Sequence, residues 1–298
     1  MRLVSIGECM IEMSGAGENL WRSGFAGDTF NTAWYARATL PAGSVDYVTC
    51  VGTDPVSQQM LDFMGAGGIG TDHVMRHPTR VAGLYMITLK DGERSFTYWR
   101  DQAAARCLAD DPAALTAAVN GADLVYFSGI TLGILTADRR AALLEALQGQ
   151  RVAFDPNLRP RLWPDTETMC EAIMQAARVS EIALPSYEDE ADFFGDADPE
   201  ATLKRYADAG ATEIVVKNGG GDMLVLADGQ THLIEPGPKA QPVDTTGAGD
   251  SFNGAYFSAR LQGIPAPEAA RYAHGIAKQV IGHKGALMPM DQIAKDAA

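Results

Sequence analysis

Several patterns that define large functional classes are missing from this chain of 298 residues. No GxxxxGK(S/T) run occurs, which disfavours the P-loop class of nucleotide enzymes. The segment holding the first predicted strand, SIGECMIEM, carries no GxGxxG, which argues against a dinucleotide-dependent oxidoreductase. Clustered Lys and Arg are also absent. With a formal net charge of -14, a nucleic-acid partner is excluded, because such binding rests on phosphate neutralisation. The four cysteines (Cys9, Cys50, Cys107 and Cys170) are scattered and form neither a CxxC pair nor a small disulfide framework, so they read as reduced, packed thiols. His73, His77, His232, His274 and His283 lack metal-ligand spacing and read as surface or boundary residues. No apolar stretch approaches the ~20 residues a membrane helix needs. Near the N-terminus Glu8 and Glu12 interrupt the apolar run and no small-residue cleavage site follows, so a cytoplasmic location without a membrane partner is expected. No repeat, low-complexity tract or linker-like boundary divides the chain, and a single domain over residues 1–298 is expected.

What is present is the composition of an ordinary folded protein, 46% hydrophobic and 21% charged. Short runs that are apolar at nearly every position, RLVSIG, DYVTCVG, DLVYFSG, RVAFDP, EIALP and EIVVK, alternate with helical patterns such as FNTAWYARATL, ETMCEAIMQAAR and EATLKRYADAG. That alternation predicts a doubly wound α/β body whose parallel sheet is covered on both faces. Residues 10–25 and 80–100 break the rhythm. The second reads as two strands around the turn KDGER, and together the two segments predict a small antiparallel layer that serves as a lid or a dimer contact. A further hairpin centres on Asp228 and Gly229.

In open parallel sheets ligands sit at the carboxyl ends of the strands. Asp155, Asn157 and Arg159 follow one predicted strand, and Lys217 and Gly219 follow another. Asp250 stands behind Gly247, Ala248 and Gly249 at a predicted helix start. Helix N-termini attract anions, so this segment suits phosphoryl transfer: the glycines admit a phosphate, the amides stabilise charge, and Asp250 takes a proton from a hydroxyl. Plain capping by Asp250 is the competing reading. An exposed Lys217 in a simple hairpin turn competes in the same way with a ligand role for that residue.

DTTGAGDSFNGAY at 244–256 resembles the C-terminal signature of the ribokinase-like, PfkB-type sugar kinases, and AGDTFNTAWYAR at 26–37 is similar to their N-terminal substrate motif. GECMIE at 7–12, GLYMI at 83–87, FTYWRDQAAAR at 96–106 and FDPNLRPRLW at 154–163 resemble more narrowly the bacterial 2-keto-3-deoxygluconate kinases. The resemblance runs through essentially the whole chain. It implies a central, mostly parallel sheet between helices with a small β lid, ATP and Mg2+ as cofactors, and transfer of phosphate to the terminal hydroxyl of a sugar acid.

Carried over by position, the resemblance makes Asp250 the base and the amides of Gly247, Ala248 and Gly249 the anion hole. Asp244 and Thr246 shape the turn and, in relatives, sometimes help hold a monovalent cation. Gly27, Asp28 and Asn31 match sugar-hydroxyl contacts, with Asp28 also suited to cap its helix. Tyr85, Tyr98, Arg100 and Arg159 match the binding of the substrate carboxylate, since an Arg fork suits an acid and not a neutral sugar. For Arg100, beside Trp99, the alternative is a surface residue covering an aromatic ring; for Tyr85 it is core packing. Asn157, Arg159, Lys217 and Gly219 match the phosphate and ribose neighbourhood. Ala277, Val280 and Gly285 match an apolar adenine slot. Where relatives carry NxxE this chain has Ser186 and Asp189, so Asp189 or Glu188 is left to reach magnesium through water. The expected assembly is a homo-oligomer formed through the lid. A neutral-sugar kinase acting on fructose or ribose, and a non-catalytic sugar-acid sensor, are the alternatives.

Overall fold

The computed structural model describes residues 1–90, 93–237 and 241–293. The first part of the chain forms β1 (Leu3–Ile6), β2 (Met10–Gly17), β3 (Leu20–Ala26), α1 (Asp28–Thr39), β4 (Val45–Val48), β5 (Cys50–Gly52), α2 (Pro55–Ala66), β6 (Met75–His77), β7 (Leu84–Lys90) and β8 (Glu93–Trp99). The middle forms α3 (Pro112–Val119), β9 (Leu124–Ser128), α4 (Gly129–Ile134), α5 (Ala137–Ala146), β10 (Val152–Asp155), α6 (Thr166–Ala177), β11 (Ile182–Ala183), α7 (Tyr187–Phe194) and α8 (Pro199–Ala209). The last part forms β12 (Glu213–Val216), β13 (Met223–Ala227), β14 (Gln230–Ile234), α9 (Ala248–Leu261) and α10 (Ala266–Val280).

Eight strands form the central sheet in the order β14-β13-β12-β11-β10-β9-β1-β4. Pairing is parallel from β4 through β12 and antiparallel at β12-β13 and β13-β14. Alternate side chains of the same strand enter different layers, as the strand period of two requires. Leu3, Tyr126, Ala153, Ile182 and Val215 pack with α1, α2, α9 and α10, whereas Val4, Ile6, Val125, Phe127, Val152 and Phe154 pack with α3 to α6. Both faces are therefore covered, which is why the strands read as continuous apolar runs. The Asp228-Gly229 turn joins β13 to β14 with both residues at positive φ, 51° and 72°, as a two-residue hairpin loop needs.

A second sheet has the order β3-β2-β7-β8. Its arms β2-β3 and β7-β8 are antiparallel hairpins, but the central β2-β7 pairing is parallel, so the layer is mixed where an antiparallel one was expected. The reason is topological: α1, α2 and their strands intervene between β2 and β7, and this long crossover returns the chain in the same direction. The tip of the KDGER turn, Asp91 and Gly92, lies outside the described residues. The cysteines are free, with Cys9, Cys50 and Cys107 buried. No described helix is long and apolar enough to cross a membrane.

One close crossing brings the two signature segments together. A Cβ on Gly254 of α9 would lie 2.4 Å from the carbonyl oxygen of Thr32 and 2.7 Å from the amide of Ala36, both on α1. Glycine here lets the two helices approach backbone to backbone, and the approach sets the start of α9 beside the start of α1.

Candidate active site

The carboxyl ends of β1, β9, β10 and β12, the first turns of α1 and α9, and the inner side of the second sheet enclose a cavity of about 570 Å³. The residues singled out from sequence that line it include Gly27, Asp28, Asn31, Tyr85, Tyr98, Arg100, Asp155, Asn157, Arg159, Ser186, Asp189, Lys217, Gly219, Thr246, Gly247, Ala248, Gly249, Asp250 and Ala277. Gly285, Val280 and Glu188 are not among its lining residues. Val280 is fully buried, and the Gly285 amide donates to Asp244 at 2.7 Å, so the structure sets neither in the cavity wall. Glu188 is exposed, one helical position from Asp189, and about 100° of rotation per residue turns it away from the cavity.

The start of α9 is built by Gly247, the N-cap residue, at a left-handed φ of 78°. Its Cβ would approach the carbonyl oxygen of Ala286 to 2.8 Å, so glycine is required by conformation and by space together. Asp250 lies in the first turn and makes no capping hydrogen bond, which removes the capping reading. The amides of Gly247 and Gly249 meet no acceptor among the described residues, but the Ala248 amide closes a turn on the Thr245 carbonyl at 3.2 Å. Of the three amides expected to face an anion, the Ala248 amide is thus engaged, and those of Gly247 and Gly249 are left open among the described residues. Asp244 braces the loop by accepting from the Thr246 amide at 3.0 Å and hydroxyl at 2.8 Å.

Asp250 receives a hydrogen bond from Asn31 Nδ2 at 2.7 Å. Burial, followed by the nearby Asp28 carboxylate, pushes its pKa up to about 8; Asn31 and Lys217 pull the other way, and Asp155 adds to the rise. Solvent still reaches the carboxylate through the cavity, while protein crowds its other sides. Asp28 is the first residue of α1, behind Gly27 as N-cap, and so does not cap the helix. It accepts from Ser128 Oγ at 2.5 Å and Asn157 Nδ2 at 2.9 Å, and burial raises its pKa. Gly27 has no room for a side chain, since its Cβ would meet the Glu8 carbonyl oxygen at 2.1 Å.

Lys217 Nζ pairs with Asp155 Oδ2 at 2.8 Å and reaches Asn253 Oδ1 at 3.2 Å. At 13% side-chain exposure it is no solvated hairpin lysine. Asn157 sits at φ 35° because its amide folds back on Asp155 Oδ1 at 3.0 Å, and its side chain serves Asp28. Arg159 faces Asp189 at 3.4 Å, and burial raises the pKa of Asp189 despite that cation. Among the described residues no group of three His, Cys, Asp or Glu side chains is placed to hold a metal ion.

At the end of the cavity under the second sheet, Arg100 is buried and ion-paired to Glu8, so it does not cover a surface aromatic. Glu8 Oε1 and Arg100 Nε are buried with no hydrogen-bond partner. Burial raises the pKa of Glu8, partly offset by Arg100. The Tyr85 hydroxyl donates to Glu12, and the Tyr85 and Tyr98 ring centroids are 5.8 Å apart. Arg161 Nη2 donates to the Tyr98 hydroxyl at 2.8 Å. Sequence reasoning missed Glu8, Asn253, Arg161 and His274, all tied to this site. The GxxxN spacing in GAGDSFNGAY, which places Asn253 one turn after Asp250, and the RPR run holding Arg161 were the available signals. His274 is half-buried, as a boundary residue, and lines the cavity, and burial lowers its pKa.

A sheet of this order, with an unpaired pair of amides and a buried carboxylate at one helix start, defines a ribokinase-like kinase acting on a small hydroxylated molecule. The chain belongs to the pfkB family of carbohydrate kinases, whose sequence pattern matches residues 1–293. It is 41% identical to 2-dehydro-3-deoxygluconokinase of Dickeya dadantii (strain 3937), with 96% of each chain covered, and 40% identical to that of Escherichia coli (strain K12), with 97% of this chain and 98% of the relative covered. Its fold is similar to that of a fructokinase from Xylella fastidiosa with bound ATP, at a TM-score of 0.81 and 22% identity over 96% of this chain and 93% of that one.

Proposed function

We infer that this chain transfers the γ-phosphoryl group of ATP to the terminal hydroxyl of 2-keto-3-deoxygluconate, forming the 6-phosphate. The observation that carries this reading is the Asp250 carboxylate, held by Asn31 in the first turn of α9 beside two unpaired amides. The full-length likeness to enzymes named for that substrate supports the choice of sugar acid.

Gly27, Asp28 and Asn31 hold the sugar hydroxyls, and the Tyr85, Tyr98, Arg100 and Arg159 side chains hold its carboxylate. Asp250 accepts the proton of the attacking hydroxyl as the oxygen forms its bond to phosphorus. The Gly247 and Gly249 amides, at the positive end of α9, stabilise charge on the transferred group, while Lys217, Asn157, Arg159 and Gly219 adjoin the phosphates. Ala277 on α10 offers an apolar wall to the base. Magnesium bound with ATP supplies neutralisation of phosphate charge. The residues fit an ion carried mainly by phosphate oxygens and water with single carboxylate contacts from Asp155 or Asp189, since no three-ligand cage exists among the described residues.

The second sheet acts as the lid whose closure excludes water and limits wasteful hydrolysis. Its exposed Leu20, Trp21, Phe96 and Trp99 support burial against a second copy of the chain. A kinase drawing on ATP and sugar acids belongs in the cytoplasm. Coupled ADP-release assays over a panel of sugar acids and neutral sugars test the assignment: a preference for 2-keto-3-deoxygluconate is expected, and a preference for fructose or ribose refutes it. No turnover with any panel member rejects the enzyme reading in favour of a sensor.

A further inference from the structure

Three of the cationic side chains lining the cavity each face a carboxylate. Arg159 faces Asp189, Lys217 pairs with Asp155, and Arg100 pairs with Glu8. The Glu8-Arg100 pair is buried, with side-chain exposures of 1% and 8%. A guanidinium matched by its own buried carboxylate offers donors to an incoming anion but little net charge. Arg161 differs, because it meets no carboxylate within ion-pair distance among the described residues.

Arg161 is exposed at the cavity but is nevertheless held in place. Its guanidinium carbon lies 4.2 Å from the Tyr98 ring centroid, and Nη2 donates to the Tyr98 hydroxyl at 2.8 Å. The Arg100 guanidinium carbon lies 5.8 Å from the same ring. Because the Tyr98 oxygen accepts from Arg161, its own proton is directed to another acceptor. The remaining N–H groups of Arg161 have no protein partner among the described residues. Arg100 Nε and Glu8 Oε1, buried and unpartnered in the same lining, point to polar ligand atoms arriving there, since buried polar groups are rarely left unsatisfied.

We propose that Arg161 is the specificity-determining residue for the substrate carboxylate, that Tyr98 positions it, and that Glu8 removes the net charge of Arg100 so that anion selection falls to Arg161. This assignment rests on the sugar-acid reading above. Arg161 supplies the uncompensated positive charge, and Tyr98 and Arg100 supply further donors around the carboxylate.

The test compares 2-keto-3-deoxygluconate with its C1 amide, a neutral isostere, by coupled ADP release at low ionic strength. The wild type, Arg161→Met and the remote surface variant Arg151→Met are measured. Loss of one charge-assisted contact is expected to raise the KM of Arg161→Met for the acid about tenfold or more, with the KM for the amide changed less than about twofold. Arg151→Met should match the wild type with both substrates. An unchanged KM for the acid in Arg161→Met, or equal rises for acid and amide, overturns the assignment. A wild type that does not prefer the acid to the amide contradicts the sugar-acid reading itself, a different outcome from a wild-type preference that survives in Arg161→Met.

Discussion

Replacing Asn31 with leucine removes the side-chain amide that donates to Asp250 at 2.7 Å while keeping the branching and heavy-atom number of the side chain. The pKa of Asp250, already near 8 because of burial and the Asp28 carboxylate, is held down in part by that bond. A hydrogen bond to a charged acceptor contributes about 1.5–3 kcal/mol, and each pKa unit corresponds to ~1.4 kcal/mol, so its loss should raise the pKa by roughly one to two units. The proposed base would work in its deprotonated form, and raising its pKa thins that form at neutral pH. In the pH profile of kcat/KM, which reports groups of the free enzyme, the acid limb should move from about pH 8 toward roughly 9 to 10, with much of the loss recovered above it. Because Asn31 also lines the cavity where the sugar is proposed to bind, the position of the limb is the diagnostic quantity and its height is not. An acid limb that stays in place while overall activity falls would refute the idea that Asn31 tunes Asp250.

Two further perturbations bear on the same helix start. For Asp250→Asn, a raised folded pKa means that the wild type loses stability as pH rises from about 4 through about 8, because only the unfolded chain ionises freely there. The variant should match the wild type near pH 4 and exceed it at pH 9. The span of about four units caps the gain near 6 kcal/mol, and screening through the cavity mouth reduces the expected value to about 2–3 kcal/mol in urea unfolding; no difference at pH 9 contradicts it. Gly247→Ala places a Cβ 2.8 Å from the Ala286 carbonyl at a φ of 78°. It should lower stability by roughly 1–3 kcal/mol and turnover together, and wild-type values for both would show that the turn tolerates a side chain.

How far the fold could be read from sequence depended on the number of buried faces. β9, Leu124–Ser128, is buried at every position and apolar from Leu124 to Phe127 because both sides of the central sheet are covered, so its run announces a strand without any partner being known. The parallel β2-β7 pairing gave no such signal, because each of those strands reads equally well in an antiparallel layer, and strand direction is fixed by the long crossover between them. At the site, motif spacing identified Asp250, Asn31 and Lys217 as residues of interest, but not their partners. The Asn31-Asp250 contact spans 219 positions and depends on the helix crossing that Gly254 permits. Glu8 was legible only as an interruption of an apolar strand, because its role appears once Arg100 is buried against it. Asp28 seemed a natural N-cap by residue type, yet the extended backbone of Gly27 takes the cap position and frees the carboxylate for Ser128 and Asn157.

Turnover of Asp250→Asn with ATP and 2-keto-3-deoxygluconate tests the central claim most directly. The side chain keeps its shape and loses the ability to accept a proton, so kcat should fall by about 100-fold or more while the KM for the sugar acid stays within a few-fold of the wild type. A variant that turns over within a few-fold of the wild-type rate would contradict the assignment of Asp250 as the base.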